Sequence, residues 1–373
     1  MPIISGGAIN SYNISDNKRD VSMEFYAFKS PKSPFWNEIN VGEPVFGTKH
    51  FWWIDKPLPT KTTVKTGHNY TSGDYTLYLT SGAGVVIGTI LRVNDIMYRV
   101  SNITYGTNDI AELVLLSTAD ANHTAGDTVE FLNNAQKENA APPASDYINK
   151  QECWNVTQIY QEHFSISGTQ KEVSRETPDT LFNNELRLRR DRIYNVIGNA
   201  LWNSPRIEGN ETTPRVMGGV YDLISQTNYG YKATATTFSE TNFNTFLDKM
   251  TYEYGADIKN GGAQIWMTGN DYNKFLALNA TSIRVDQSNT TVGRIVNRYV
   301  SKKYDVELRV DDYCRENYIT LINPNQVYFR PLNNRQLKWE LMPSNTDGDD
   351  YKLIMEATIE IRNIGTCGIF EIS

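Results

Sequence analysis

The chain lacks long apolar runs, is poor in cysteine and histidine, and carries no excess of positive charge. Each shortage removes a class of function. No stretch approaches the roughly 18 consecutive apolar residues of a membrane-spanning helix, so none is expected. Cys153, Cys314 and Cys367 stand far apart with no CxxC pair. That argues against a structural zinc site or a disulfide framework and fits a reducing compartment. A net charge of −7 and a pI near 5.3 argue against a protein that coats nucleic acid, while leaving room for a local basic face. The N-terminal stretch MPIISGGAINSYNISDNKRD has no basic segment leading into an apolar one, so no secretion signal is expected. Without one, the N-x-[ST] sequons at Asn69 and Asn155 are chance matches in an Asn- and Thr-rich chain.

Catalytic motifs are missing too. None of His50, His68, His123 and His163 belongs to HExxH or stands at metal-ligand spacing from a carboxylate. No GxSxG elbow and no GxxxxGK[ST] loop occurs; SISGTQ lacks the flanking glycine pattern, and the Gly pairs in MGGV and NGGA read as tight turns. The acidic NTDGDD at 345–350 lacks the frame and trailing Glu of a calcium loop and is expected to be a hairpin turn. Neither an enzyme nor a cofactor is therefore expected.

What the chain does have is aromatic surface in an unusual place. The stretch SPFWNEINVGEPVFGTKHFWWIDKPLP, residues 33–59, holds three Trp and three Phe between glycines and prolines. It has no helical spacing, and HFWWID reads as a strand with Trp52 and Ile54 on one side and Phe51 and Trp53 on the other. Aromatic rings end in cores or interfaces. Phe35, Trp36, Phe51, Trp52 and Trp53 are thus candidate anchors, and the family resemblance given below implies that neighbouring copies of the same protein bury them.

The 373 residues suffice for two or three cores. Residues 1–32 are polar and poorly periodic and read as an extended arm. From 71 to 133, short β-rich runs such as DYTLYLT, VVIGTILRV and IMYRVSNIT alternate with turns such as SGAG, VND and TAGD, which predicts a small barrel or curled sheet. QKENAAPPASD closes it as a link. ECWNVTQIYQEHFSISGTQ reads as strand, with Trp154, Val156, Ile159 and Phe164 apolar. A long helix is predicted over 178–203, capped by Thr177, opened by Pro178, with Asp179 in its first turn. Phe182, Leu186, Ile193, Ile197 and Leu201 form its apolar stripe, and about 25 residues give a rod of about 38 Å.

RLRRDR in the middle of that helix is a basic band with three readings: a solvated face, a charged contact between subunits, or a nucleic-acid contact. Glu185–Arg189 and Arg187–Asp191 can pair at i,i+4, which leaves Arg190 and Arg192 free for a neighbour's carboxylates. GGVYDLI reads as a Gly-Gly turn into a short apolar run. SETNFNTFLDKMTYEYG reads as a helix capped by Ser239 and ended by Gly255, AQIWMTG as a buried strand, and NDYNKFLAL as a helix capped by Asn270. From Val292 onward the pattern is mostly β.

The order of parts carries a resemblance. A polar arm, the aromatic SPFWNEI…GEPVFGTKHFWWIDKPL, a β-module, NVTQIYQEHFSISGTQ, a long capped basic helix, GGVYDLI, an α/β unit and closing strands resemble the major capsid (head) proteins of tailed bacteriophages over about residues 20–373. The resemblance implies an α+β chain with the HK-type capsid fold. Its parts would be an N-terminal arm over 1–48, an extended loop over 49–170 with the β-rich insert at about 71–133, and a peripheral domain over 171–225 with spine helix 178–203. An axial domain over 226–291 would follow, and β-segments over 292–373 would return to the peripheral domain. It implies self-assembly into an icosahedral head around double-stranded DNA, in pentamers and hexamers, within a virion made in the host cytoplasm. Scaffold, portal and decoration proteins are the further partners it implies, with only weak, non-specific contact to packaged DNA and no membrane. The competing reading is a β-rich tail or surface glycan binder, which the Tyr and Trp content fits and the long basic helix does not. A hydrolase with an inconspicuous site stands third.

Overall fold

The computed structural model describes residues 33–54, 60–136, 150–173, 181–226, 230–258, 262–277, 283–284, 298–301 and 303–373. The expected arm 1–32, most of the link after the β-module, and Thr177, Pro178 and Asp179 lie outside them. The described residues build three apolar cores.

The first core lies between a five-stranded sheet and the long helix Leu181–Asn203. Strand Gly348–Ile361 is the sheet's axis. Gln158–Ser167 pairs antiparallel along one side of it, from Gln158↔Ala357 to Ser167↔Gly348. Val327–Pro331 and then Lys338–Met342 pair along the other side. Asn40–Val41 adds in parallel outside Val327–Pro331. The residues of NTDGDD turn the hairpin between Lys338–Met342 and Gly348–Ile361, as predicted. The helix ends where its pattern predicts. Ile193, Ile197 and Leu201 are buried, Leu186 packs at the margin, and Phe182 meets the rings of Phe164, Trp339 and Tyr351. A second short helix, Val220–Gln226, forms from GGVYDLI and adds Val220, Tyr221, Leu223 and Ile224 to this core.

The segment ECWNVTQIYQEHFSIS is two strands in two sheets. Gln151–Val156 pairs with Lys49–Ile54 in a ribbon, and Gln158–Ser167 belongs to the first sheet. In the second of these strands Tyr160, Phe164 and Ile166 are buried, while Ile159 faces out.

The second core sits on a seven-stranded sheet in the order Tyr231–Ala235, Gly368–Ile372, Tyr318–Ile322, Gln264–Met267, Asp305–Val310, Arg298–Val300, Ile283–Arg284. Helix Glu240–Tyr252 starts at Ser239, whose hydroxyl accepts from the Asn242 N–H, and buries Phe243, Phe246, Leu247 and Met250. Helix Gly269–Leu276 is capped by Thr268 rather than by Asn270. Thr268 is the last extended residue before the helix, so its hydroxyl is the one placed to accept from the Asp271 N–H. The boundary expected at residue 291 does not divide the sheets. Strands within 298–322 and 368–372 join the second sheet, and of these closing segments only strands within 327–361 join the first. Period-two alternation identifies a strand but carries no information about which sheet receives it.

The third core is a barrel. Strands Lys61–Thr63, Thr128–Asn134, Thr89–Val93, Ile96–Thr104, Asp109–Leu115 and Thr76–Leu79 pair in that order. The first and last then close on each other through the Val64↔Leu79 bridge, with Lys65 N donating to Tyr78 O and Thr80 N to Thr63 O, each at 2.9 Å. Leu77, Leu79, Leu91, Val93, Tyr98, Val100 and Val129 fill the interior. The module therefore starts at Lys61, before the expected residue 71, because the polar KTT strand has no apolar alternation to reveal it. Asn94 and Asp95, both at positive φ (47° and 70°), make the two-residue turn between paired Val93 and Ile96.

Candidate subunit-contact surfaces

The aromatic stretch divides into an inward and an outward set. Pro34 opens a single helical turn, Pro34–Glu38, that folds Phe35 into the first core. Phe35 is 0% exposed, with its ring 4.4 Å from Trp202 and 5.1 Å from Trp266. The buried Asp311 carboxylate holds this turn in place. Its Oδ2 accepts from the Ser33 hydroxyl, from Phe35 N at 3.3 Å and from Trp202 Nε1 at 3.2 Å, and its Oδ1 from Tyr313 N at 3.0 Å. Trp36 packs edge-on against Phe329, centroids 4.6 Å apart, and is half-buried. Trp52 is 7% exposed and donates from Nε1 to Ile361 O at 3.0 Å. Phe35 and Trp52 are thus core residues of their own chain, which corrects the expectation that all five rings await a neighbour. Apolar density predicts burial but not which chain supplies it, and five helical residues are too few to show a period.

The ribbon keeps the predicted alternation: Trp52 and Ile54 point inward, while Phe51 and Trp53 point out at 47% and 62% exposure. Phe46 and Val41, just upstream, are also exposed. On the partner strand the Trp154 ring centroid lies 3.8 Å from both Lys49 Nζ and the Arg206 guanidinium.

The root of the ribbon is held by polar groups with no signature in the sequence. Asn155 donates from Nδ2 to Gly218 O and Ile359 O and accepts from Gly218 N. The buried Glu360 takes His50 Nε2 at 2.9 Å and Arg330 on one oxygen and Arg362 Nε at 3.0 Å on the other. Burial pushes its carboxyl up, but the His50 and Arg362 hydrogen bonds and the Arg330 charge outweigh that and hold it at about 2. Glu356, also buried, accepts from Arg215 Nη2 and Arg335 Nε, each at 2.9 Å, and from the Thr157 hydroxyl. Partners that come from as far as 310 residues away give such clusters no readable spacing.

On the long helix, Arg189 pairs with Glu185 at 3.3 Å, as the i,i+4 spacing predicts. Arg187 donates to Asn184 Oδ1 at 2.9 Å. Arg192 was expected to be free for a neighbour, but its Nη1 lies 3.3 Å from Glu162 on the adjacent strand. Helix spacing cannot reveal a partner on another element. Arg190 is exposed and makes no ion pair among the described residues. The candidate residues fall on three elements: Phe51, Trp52 and Trp53 on the ribbon, Arg190 and Arg192 on the long helix, and Phe35 and Trp36 on the short turn, where their rings meet Trp202 and Tyr194 of that helix.

A model of the SU10 major capsid protein family matches residues 7–372. The chain belongs to that family. No curated protein matches the sequence. Solved structures of similar fold include capsids. The capsid of an empty GTA particle is 10% identical with a TM-score of 0.54, covering 98% of this chain and all of the other. The capsid of cyanophage A-1(L) is 8% identical with a TM-score of 0.54, over 97% and 99% of the two chains. Mycobacterium phage Adephagia gives 6% identity and a TM-score of 0.50, over 98% and 99%. The SU10-family chain is thus a major capsid protein with the HK-type fold, a structural protein of a tailed-phage head built from many copies of itself. The family is one of shell proteins, not of enzymes, and the glycan-binder reading is not favoured.

Proposed function

We propose that this capsid protein builds its shell from pentamers and hexamers in which a neighbouring copy covers the outward face of the ribbon. The observation that carries this is the pair Phe51 and Trp53, two large rings held outward on a paired strand, with exposed Phe46 just upstream in the chain. Large apolar groups in such an arrangement mark contact surfaces. The ribbon with its barrel corresponds to the extended loop, the first core with its long helix to the peripheral domain, and the second core to the axial domain. Arg190 adds a charged contact to a neighbour's carboxylate.

The net charge of −7 supports only weak, non-specific contact with packaged DNA. Scaffold, portal and decoration proteins are the further partners of this reading, and the chain is made in the host cytoplasm.

Covering the exposed halves of the two rings contributes about 1–2 kcal/mol each per contact, repeated around a closed shell. The double variant Phe51→Ala/Trp53→Ala is therefore expected to lose particles in electron microscopy while its unassembled form keeps the wild-type melting temperature. Arg190→Glu is expected to weaken assembly without changing DNA retention. Wild-type particle yield from the double variant would refute the assignment of this face.

A further inference from the structure

Strand Lys338–Met342 pairs with Gly348–Ile361 on one side, from Lys338↔Ile354 to Met342↔Asp350. No strand among the described residues pairs with its other side. All five of its residues are exposed, Trp339 at 50% and Leu341 at 59%. The neighbouring stretch of the same sheet edge is covered within the chain. Asn40–Val41 pairs with Val327–Pro331, and the Val45↔Leu332 bridge carries the cover one residue further. The edge is closed as far as Leu332 and open from Lys338.

Trp339 meets the Phe182 ring at 5.3 Å, so it lies on the helix side of the sheet. Leu337 and Leu341, two residues to either side, share that face, and Leu337 packs on the first core. Lys338 and Glu340 share the opposite face, with Nζ and Oε1 2.7 Å apart. The run LKWEL, 337–341, therefore reads alike from both ends except that its two charges change sign.

This symmetry makes the edge complementary to itself. Two antiparallel copies set with Trp339 opposite Trp339 place Lys338 opposite Glu340 twice and Leu337 opposite Leu341 twice. A shift of two residues one way sets Lys338 against Lys338, and the other way Glu340 against Glu340. Opposite charges and large apolar groups facing across a strand pair stabilise it, and like charges oppose it. Charged residues ordinarily guard an open edge against a second one. Here they admit one partner, another copy of this chain, in one register.

We propose that the open edges Lys338–Met342 of two copies pair antiparallel about a two-fold axis at Trp339, which joins their five-stranded sheets into one. This rests on the shell reading above. Neighbours within a pentamer or hexamer are related by a five- or six-fold rotation, whereas a self-complementary contact needs a two-fold. The strand pair therefore links copies of different rings, and it is distinct from the aromatic face of the ribbon.

The test is disulfide formation in full-length Trp339→Cys under mild oxidation by copper phenanthroline. Residues directly opposite in an antiparallel pair have Cα atoms ~4.5–5.5 Å apart, within reach of a disulfide. The two residues 340 would be roughly 8 Å apart and out of reach. Native Cys153, Cys314 and Cys367 are buried and do not compete in the folded chain. A disulfide-linked dimer is expected from Trp339→Cys in the assembled fraction, and none from Glu340→Cys alone. Adding Lys338→Glu or Glu340→Lys to Trp339→Cys sets two like-charged pairs face to face and should cut the dimer yield about tenfold. Mixing those two charge variants makes every facing pair opposite in sign and should restore it. Any cost of either substitution to its own strand persists in the mixture, so the recovery reads the contact between copies. If Trp339→Cys forms no particles, Lys338→Cys and Glu340→Cys keep the ring and should give the dimer only when mixed. Equal dimer from Glu340→Cys alone, or no recovery on mixing the charge variants, would overturn the proposal. Particles visible by electron microscopy without any dimer would overturn the edge pairing and leave the shell reading standing. Dimers in a preparation whose wild-type chain forms no particles would support the pairing and overturn the shell reading.

Discussion

Replacing Glu360 by glutamine keeps the shape at the root of the ribbon and removes its central charge. The side chain is 6% exposed, and His50, Arg330 and Arg362 converge on it from three segments of the chain. Desolvation opposes ionisation there, but the His50 and Arg362 hydrogen bonds and the Arg330 charge win and hold the carboxyl at about 2 instead of 4.5. At ~1.36 kcal/mol per pKa unit, that difference contributes about 3 kcal/mol of stability at neutral pH. The folded chain binds this proton less readily than the unfolded chain does. The contribution is therefore complete above pH 4.5 and is lost as the pH falls toward 2, with about 1 kcal/mol gone by pH 3.5. Glu360→Gln should cost about 3 kcal/mol at pH 7 and about 2 kcal/mol at pH 3.5, because it also leaves Arg330 short of its buried partner. Urea unfolding of the unassembled chain across this range measures both values. A loss below about 1 kcal/mol at pH 7, or one that does not change with pH, would refute the reasoning.

Phe35→Ala empties a fully buried site between Trp202 and Trp266 and should lower unfolding stability of the unassembled chain by about 3–5 kcal/mol. If that loss appears only in assembled particles, Phe35 is an intersubunit residue after all. The fragment 60–136, which holds the closed barrel and its own core, should give a β-type circular dichroism spectrum and a cooperative melt. Burial holds His123 below its ordinary value of 6.5 despite the nearby Asp127 and Asp120. The neutral ring is thus favoured by folding, and the melting temperature of the fragment should fall as the pH drops through 6.5 and below, an effect that His123→Gln should reduce.

What could be read from the chain alone were local patterns and the order of parts. Alternation in HFWWID separated Trp52 and Ile54 from Phe51 and Trp53. The 3.6-residue stripe placed Ile193, Ile197 and Leu201 inside and ended the long helix at Asn203. The Ser239 hydroxyl marked its helix start, and the succession of arm, β-module, basic helix and α/β unit pointed to the capsid family that residues 7–372 match. Each of these depends on neighbours within a few residues or on chain order, and both are written in one dimension. Tertiary structure decided the rest. It buried Phe35 against Trp202, gave Arg192 to Glu162, sent residues 298–322 and 327–361 to different sheets, and gathered His50 and Arg330 around Glu360. Those outcomes join residues tens to hundreds of positions apart, and the free energy that selects them comes from burial and charge pairing in space, which spacing along the chain does not encode.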